Sequence, residues 1–234
     1  MGRGSSGANG STTRLTGTDG KPIDLTGTPL RYGSEDKALT GGARSSIESF
    51  EKARYKNKIE FSRFVDADGN VIEDNRGGRG SVGATLRARS TAHAMSHNHP
   101  RSGGMLGGTF STGDINNFTR FAQQTYRATA PEGTYSISRG KKFDAAGLQA
   151  YYTRASKEAR AKYESAVKQA NAEYKSVSSA YARGNATYDQ ANTAYQKARE
   201  AGVKAFNTML VENHNALRAG QKKYGYTYTL ERRR

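Results

Sequence analysis

His97-Asn98-His99-Pro100, followed after a glycine-rich run by Ser111-Thr112-Gly113-Asp114, is the stretch on which the fold reading turns. With Ala92 to Ser96 read as a strand, His97 and His99 stand two residues apart and project from one face, so both imidazoles reach a common ion. Pro100 disfavours the α region at His99 and supports the extended reading. Ser111 then starts a helix, and Asp114, one turn in, offers a carboxylate as third ligand. Two imidazoles and one carboxylate leave a tetrahedral position open, as catalytic zinc sites do. His93 lies four residues before His97. On a strand, four rises separate the two rings by about 13 Å, so His93 is read as structural.

Outward from this stretch the chain alternates helix and strand. Ser45-Ser46-Ile47-Glu48 reads as a capping box opening a helix through Phe50 and Arg54. Ile59 to Val65 alternates as a strand, and Asp66-Ala67-Asp68-Gly69-Asn70 turns it into Val71-Ile72, making a hairpin. Ser81 to Leu86 reads as a further strand and Thr134 to Ser138 as another. Ser111 caps a helix through Phe118, Phe121 and Tyr126. By itself Ser111-x-x-Asp114 is a helix-capping pattern, and only the histidines upstream give it a chemical reading.

Four segments follow. Residues 1–42 form a flexible arm rich in Gly, Ser and Thr, and 43–142 a metal-binding core. Residues 143–220 are a basic helical arm rich in Ala, Tyr and Lys, and 221–234 a terminal strand with a basic tail. In the arm Tyr152, Tyr163, Tyr174, Tyr181, Tyr188 and Tyr195 recur at intervals of eleven, eleven, seven, seven and seven, close to whole helical turns. That stripe is a packing face, and Arg183-Gly184-Asn185 is the break that folds the segment into a hairpin. Tyr224 to Leu230 alternates like a strand returning to the core sheet. His214 reads as a solvated residue of the arm.

The 234 residues suffice for one buried domain with an appendage. The hydrophobic fraction of 34% and 27 glycines point to a modest core with much loop. A net charge of +16 calls for an anionic partner, nucleic acid or an acidic protein. With no cysteine, disulfides and thiolate ligands are excluded. Met1-Gly2-Arg3-Gly4-Ser5-Ser6 matches a loose acylation pattern that Gly/Ser-rich tails produce by composition. No apolar run spans a membrane and no signal-peptide core is present, so the expectation is a soluble chain without a membrane partner.

The His-x-His-Pro and Ser-x-x-Asp pair resembles the signature of the JAMM (JAB/MPN) metallopeptidases, over about Ile47 to Arg139. It is more similar still to JAMM-like domains of phage head-associated proteins and toxin modules. There the Asp68-Gly69-Asn70-Val71-Ile72 hairpin, the His97-Asn98-His99-Pro100 run, Phe110-Ser111-x-x-Asp114-Ile115 and the Pro131-x-Gly133-Thr134-Tyr135-Ser136 strand recur. The loop from Pro100 to Phe110 is longer than the family's, and its glycines are expected to let it bulge outward.

The resemblance implies an α+β fold of the JAMM/cytidine-deaminase-like type, a mixed sheet flanked by helices, with a helical hairpin inserted before the last strand. It implies Zn²⁺ on His97, His99 and Asp114, a glutamate base on an early element, and an oxyanion donor at Ser111. Glu60 is the first choice for the base, with Glu51 and Glu48 competing. The function implied is hydrolysis of a peptide or isopeptide amide by a zinc metalloprotease, virion-associated or in the host cytoplasm where the phage likeness holds. A second expectation is a non-catalytic assembly protein binding nucleic acid or acidic subunits through its basic arm. A third is an HNH-type nuclease, which needs a further histidine at the metal, and His214 is the one downstream.

Overall fold

The computed structural model describes residues 30–101 and 103–232. It contains one six-stranded mixed sheet flanked by helices, with a long helical region before the last strand. In chain order the elements are α1 (Gly41–Arg54), β1 (Phe61–Val65), β2 (Val71–Arg76), α2 (Leu86–Thr91), β3 (Ala94–Asn98) and α3 (Thr112–Arg120). They continue with β4 (Thr125–Ala130), β5 (Gly133–Arg139), α4 (Ala145–Ala182), α5 (Tyr188–Tyr224) and β6 (Tyr226–Glu231). The sheet order is β2-β1-β3-β4-β5-β6. Only β3 and β4 run parallel, joined by the crossover that contains α3. The other four neighbouring pairs are antiparallel.

Strand alternation divides the sheet into two unlike faces. Phe64, Met95, Tyr126, Ala128, Tyr135, Ile137, Tyr228 and Leu230 turn to one side, into a core shared with α2, α3 and the lower turns of α4 and α5. On the other side Val65 and Ala94 meet Leu39 and the Ala43 and Ile47 face of α1. Further along that second face the residues are polar: Ser96, Arg127 and Ser136. Glu51 of α1 accepts from Ser96 Oγ at 2.8 Å and takes both Nε and Nη2 of Arg127, at 2.8 and 3.1 Å. Arg127 also reaches Glu231 through Nη1 and Nη2, while Asp36 accepts from Ser136 and Ser138.

Several sequence expectations are corrected here. α1 begins at Gly41, not Ser45, and no capping box forms: Ser45 donates back to the Gly41 carbonyl and Glu48 pairs with Arg44. Ser81 to Leu86 is not a strand; the chain there is irregular until Thr85 caps α2. The hairpin strand continues beyond Ile72 to Arg76. Its turn is an Asp66-centred loop in which the carboxylate accepts from the Asp68 and Asn70 backbone N–H groups, with Gly69 at φ 94 supplying the left-handed residue.

The arm expected over residues 1–42 is packed from Leu30 onward. Leu30 and Tyr32 sit against the aromatic core, Gly33 donates to Leu230 of the edge strand, and Leu39 is fully buried beneath α1. The residues before Leu30, including the acylation pattern at Met1 to Ser6, lie outside the described residues, as do Arg233 and Arg234.

The helical hairpin breaks at Arg183-Gly184-Asn185, where Gly184 adopts φ 76. Tyrosines stack across it in edge contacts, Tyr174 on Tyr195 and Tyr181 on Tyr188. With 38 residues α4 reaches about 57 Å at the usual rise, so its outer half stands clear of the sheet. Its lower turns do not. Leu148 and Tyr152 of α4 and Leu217 and Tyr224 of α5 belong to the main core. His214, expected in solvent, is fully buried between the Tyr228 hydroxyl (2.8 Å) and the Arg31 carbonyl (3.0 Å). No helix among the described residues is long and apolar enough to cross a membrane.

Candidate metal centre

β3 places His97 on the aromatic face of the sheet, and the chain leaving it carries His99 to the same side. The capping box at Ser111 starts α3 and fixes Asp114 opposite them: Ser111 Oγ accepts from the Asp114 N–H while the Asp114 carboxylate accepts from the Ser111 N–H and Oγ–H. His97 Nε2 lies 2.8 Å from His99 Nε2 and 3.3 Å from Asp114 Oδ1. His99 Nε2 is 3.8 Å from Asp114 Oδ2. On a tetrahedral zinc with nitrogen bonds of about 2.0–2.1 Å, ligand atoms sit about 3.3 Å apart. The His97–His99 and His97–Asp114 separations lie near that value, the third contact being to the other carboxylate oxygen, so the three side chains could hold a divalent ion.

The tautomers point the same way. His99 Nδ1 faces the Gly108 carbonyl at 3.0 Å. A carbonyl only accepts, so Nδ1 carries the proton and Nε2 presents its lone pair to the cluster. His97 Nε2 therefore faces two acceptors, and its Nδ1 is buried without a hydrogen bond among the described residues. Without a cation, His97 must hold a proton between them. Burial pushes its pKa down, but the Asp114 charge and hydrogen bond, with Glu60 behind them, move it up on balance. Burial and the charge of His97 push His99 down to about 4. For Asp114 burial acts upward, yet His97, His99 and the Ser111 hydroxyl outweigh it and hold the carboxyl far below the usual range.

Glu60 immediately precedes β1 and enters the same cleft, a cavity of about 470 Å³ that the two histidines, Ser111 and Asp114 also line. Burial raises its pKa, with Asp114 adding to the rise and His97 and Arg101 opposing it. Its backbone is fixed on both sides, donating to Gly78 and accepting from Gly77. Asn98, between the two histidines, turns to the opposite face, where its Oδ1 accepts from the Phe61 N–H and its Nδ2 donates to the Ile59 carbonyl. The His-Asn-His run thus fastens the Glu60 segment beside the ligands that flank Asn98. Glu51 lies on the far face in the Arg127 pair, and Glu48 is exposed beside Arg44. Of the three glutamates weighed for the base, only Glu60 shares the cleft. His93 and His214 stand outside the cluster.

Residues unremarkable in the sequence also shape the site. The long loop does not bulge outward: Leu106 to Phe110 are buried. Glu132 takes the Gly107 and Gly108 N–H groups at 3.0 and 2.6 Å and the Tyr135 hydroxyl at 2.9 Å. Asn207 of α5 accepts from Leu106 and donates to the Gly104 carbonyl. Gly108 adopts φ 84 and lies so close to Leu210 that a Cβ would approach it to 2.7 Å. The loop is thereby pressed between the β4–β5 turn and α5, which holds the Gly108 carbonyl against His99. Tyr126 sets its hydroxyl 3.4 Å from Asp114 Oδ1 and its ring edge-on to His97. No sequence pattern announces Glu132 or Asn207, because each acts on a loop distant in the chain.

No protein-family model, curated protein or solved structure matches the chain.

Proposed function

We propose that the chain is a metal-dependent amide hydrolase of the JAMM-like type, a zinc peptidase or isopeptidase. The observation that carries this reading is the convergence of His97, His99 and Asp114 in one cleft with the unpaired carboxylate of Glu60. Zn²⁺ held by the three ligands supplies Lewis acidity that activates water and polarises the scissile carbonyl. Glu60, buried and with no hydrogen bond from its carboxylate to any described residue, takes the proton of the attacking water and returns it to the leaving amine. Its raised pKa suits a group that must both accept and release a proton. Ser111 stands at the exposed lip of α3 and donates to the developing oxyanion once its hydroxyl turns from Asp114. Tyr126 and the Gly108 carbonyl keep Asp114 and His99 aimed. The test is metal analysis of the purified chain with a peptide-cleavage assay: about one zinc per chain and zinc-dependent cleavage are expected, and a chain that takes up no divalent metal on titration ends the reading.

The charge distribution favours a second role that coexists with the first: assembly on nucleic acid or acidic subunits, as in a virion. Residues 141–234 carry 18 Lys+Arg against 8 Asp+Glu, much of it on a hairpin whose outer helices are exposed. Binding to a DNA duplex that falls steeply between about 50 and 200 mM salt supports this role; no binding at low salt removes it for nucleic acid. The nuclease alternative needs His214 at the metal, and His214 faces Tyr228 and Arg31 instead.

A further inference from the structure

Beyond the ligand triad the cleft is lined by Arg101 from the loop after β3, Arg160 from α4, and Phe206, Met209, Leu210 and Asn213 from α5. The Arg101 guanidinium lies 5.9 Å from the centre of the Phe206 ring, so the loop and the hairpin meet there. Arg160 is at the solvent edge, and its partner Glu164 is an exposed neighbour one turn away, a pair of little worth in water. Apart from Glu60 and Asp114, no carboxylate among the described residues lines the cleft. Asn213 is 7% exposed, yet its carboxamide makes no hydrogen bond to any described residue, and its Oδ1 is shut off from solvent. Buried amides in folded proteins are nearly always paired, so an orphan beside a cleft marks a place where a ligand supplies the partner.

We infer that this end of the cleft is a subsite for an acidic residue of a peptide substrate. Arg101 and Arg160 take the carboxylate, and the Asn213 carboxamide pairs with the substrate main chain. A guanidinium binds a carboxylate through charge-assisted, forked hydrogen bonds, while Phe206, Met209 and Leu210 offer apolar contact to its methylenes. An amide group complements a peptide bond, donating to its carbonyl and, once the side chain turns its oxygen into the cleft, accepting from its N–H. The two arginines share a cleft with Phe206, Met209 and Leu210, which suits a side chain better than the continuous backbone of a nucleic acid. The inference rests on the amide-hydrolase reading and adds its substrate class.

The test uses the zinc-loaded full chain carrying Glu60→Gln and labelled decapeptides with a single Glu, or a matched Gln, at successive positions, titrated by fluorescence anisotropy. One register is expected to bind about tenfold tighter as Glu than as Gln. That preference should vanish in Arg101→Gln and shrink in Arg160→Gln. Peptides ending at that register, as free acid and as amide, separate a side-chain carboxylate from a terminal one; preference for either carboxylate supports the subsite. Equal affinities throughout, no measurable binding, or a preference that survives both arginine substitutions overturns it. Hydrolysis by the unsubstituted chain keeps the two readings apart. Cleavage of acidic and neutral peptides with equal kcat/KM overturns the subsite alone, whereas Glu selectivity in binding without cleavage of any peptide overturns the hydrolase reading and leaves the carboxylate subsite standing.

Discussion

Each face of the sheet buries a knot of ionisable groups, but the two are finished differently. Beneath α1, Arg127 is bonded to Glu51 and Glu231, and Asp36 is occupied by two serine hydroxyls and the Ala38 N–H. Every charge there spends its hydrogen-bonding capacity on a neighbour. On the opposite face, His97, His99 and Asp114 aim three ligand atoms into one small space, and a fourth group, Glu60, waits without a partner. Burial alone therefore does not mark a site, since Arg127 is more deeply buried than Asp114. The distinguishing feature is lone pairs converging on a point where the protein has placed no proton to satisfy them all.

The largest expected effect breaks the open face outright. His97→Ala combined with His99→Ala should take zinc from about one per chain to none, read by metal analysis after dialysis, because one carboxylate is no competent shell. Glu60→Gln should keep the zinc and lower kcat by about 10² to 10⁴, since an amide cannot accept the proton; activity near the starting value would move the base elsewhere. The closed face should respond in stability instead. Glu51→Gln leaves Arg127 short of a buried partner and should cost about 3–5 kcal/mol in urea unfolding, with zinc per folded chain unchanged. Loss of zinc in a folded Glu51 variant would erase the distinction between the faces.

The smallest effect is the pH response of His214, whose pKa burial depresses to about 4. Its neutral form is the folded one, so its contribution is complete above the ordinary value near 6.5 and declines as the pH falls from there toward 4. The decline is at most about 3 kcal/mol. Urea unfolding at pH 7 and pH 4.5 should show a smaller acid loss in His214→Gln than in the parent chain; equal losses would assign the acid sensitivity to other groups.

What the sequence discloses follows from the range of each interaction. The convergence of His97, His99 and Asp114 is legible because strand alternation and a helix cap are local, and the hairpin break at Gly184 and the final strand are legible for the same reason. The choice among Glu48, Glu51 and Glu60 is not local. It depends on which face of the sheet each enters, settled by the pairing of β1 with β3 and by Asn98 holding Ile59 and Phe61. Likewise His214 reads as a polar residue on a helix until β6 brings Tyr228 beside it. The strand expected at Ser81 to Leu86 gives way to the helix start at Thr85, whose N–H and hydroxyl are held by Glu73 of β2. The packed run from Leu30 to Leu39 was hidden by its glycine- and serine-rich surroundings.

That run crosses the β6 edge of the sheet and ties the order of events during synthesis. Asp36 donates its backbone N–H to Glu231, 195 residues later, and at typical elongation rates of about 5–20 residues per second the strap waits roughly 10–40 s for its partner. From the completion of β5 until β6 emerges, β5 is an open strand edge and Arg127 has one carboxylate in place of two, while the glycine loop lacks the α5 asparagine that presses it down until Asn207 is made. A nascent chain thus displays His97 and His99 before Asn207 is present to press the Gly108 loop against them, and before Glu231 closes the far face of the sheet.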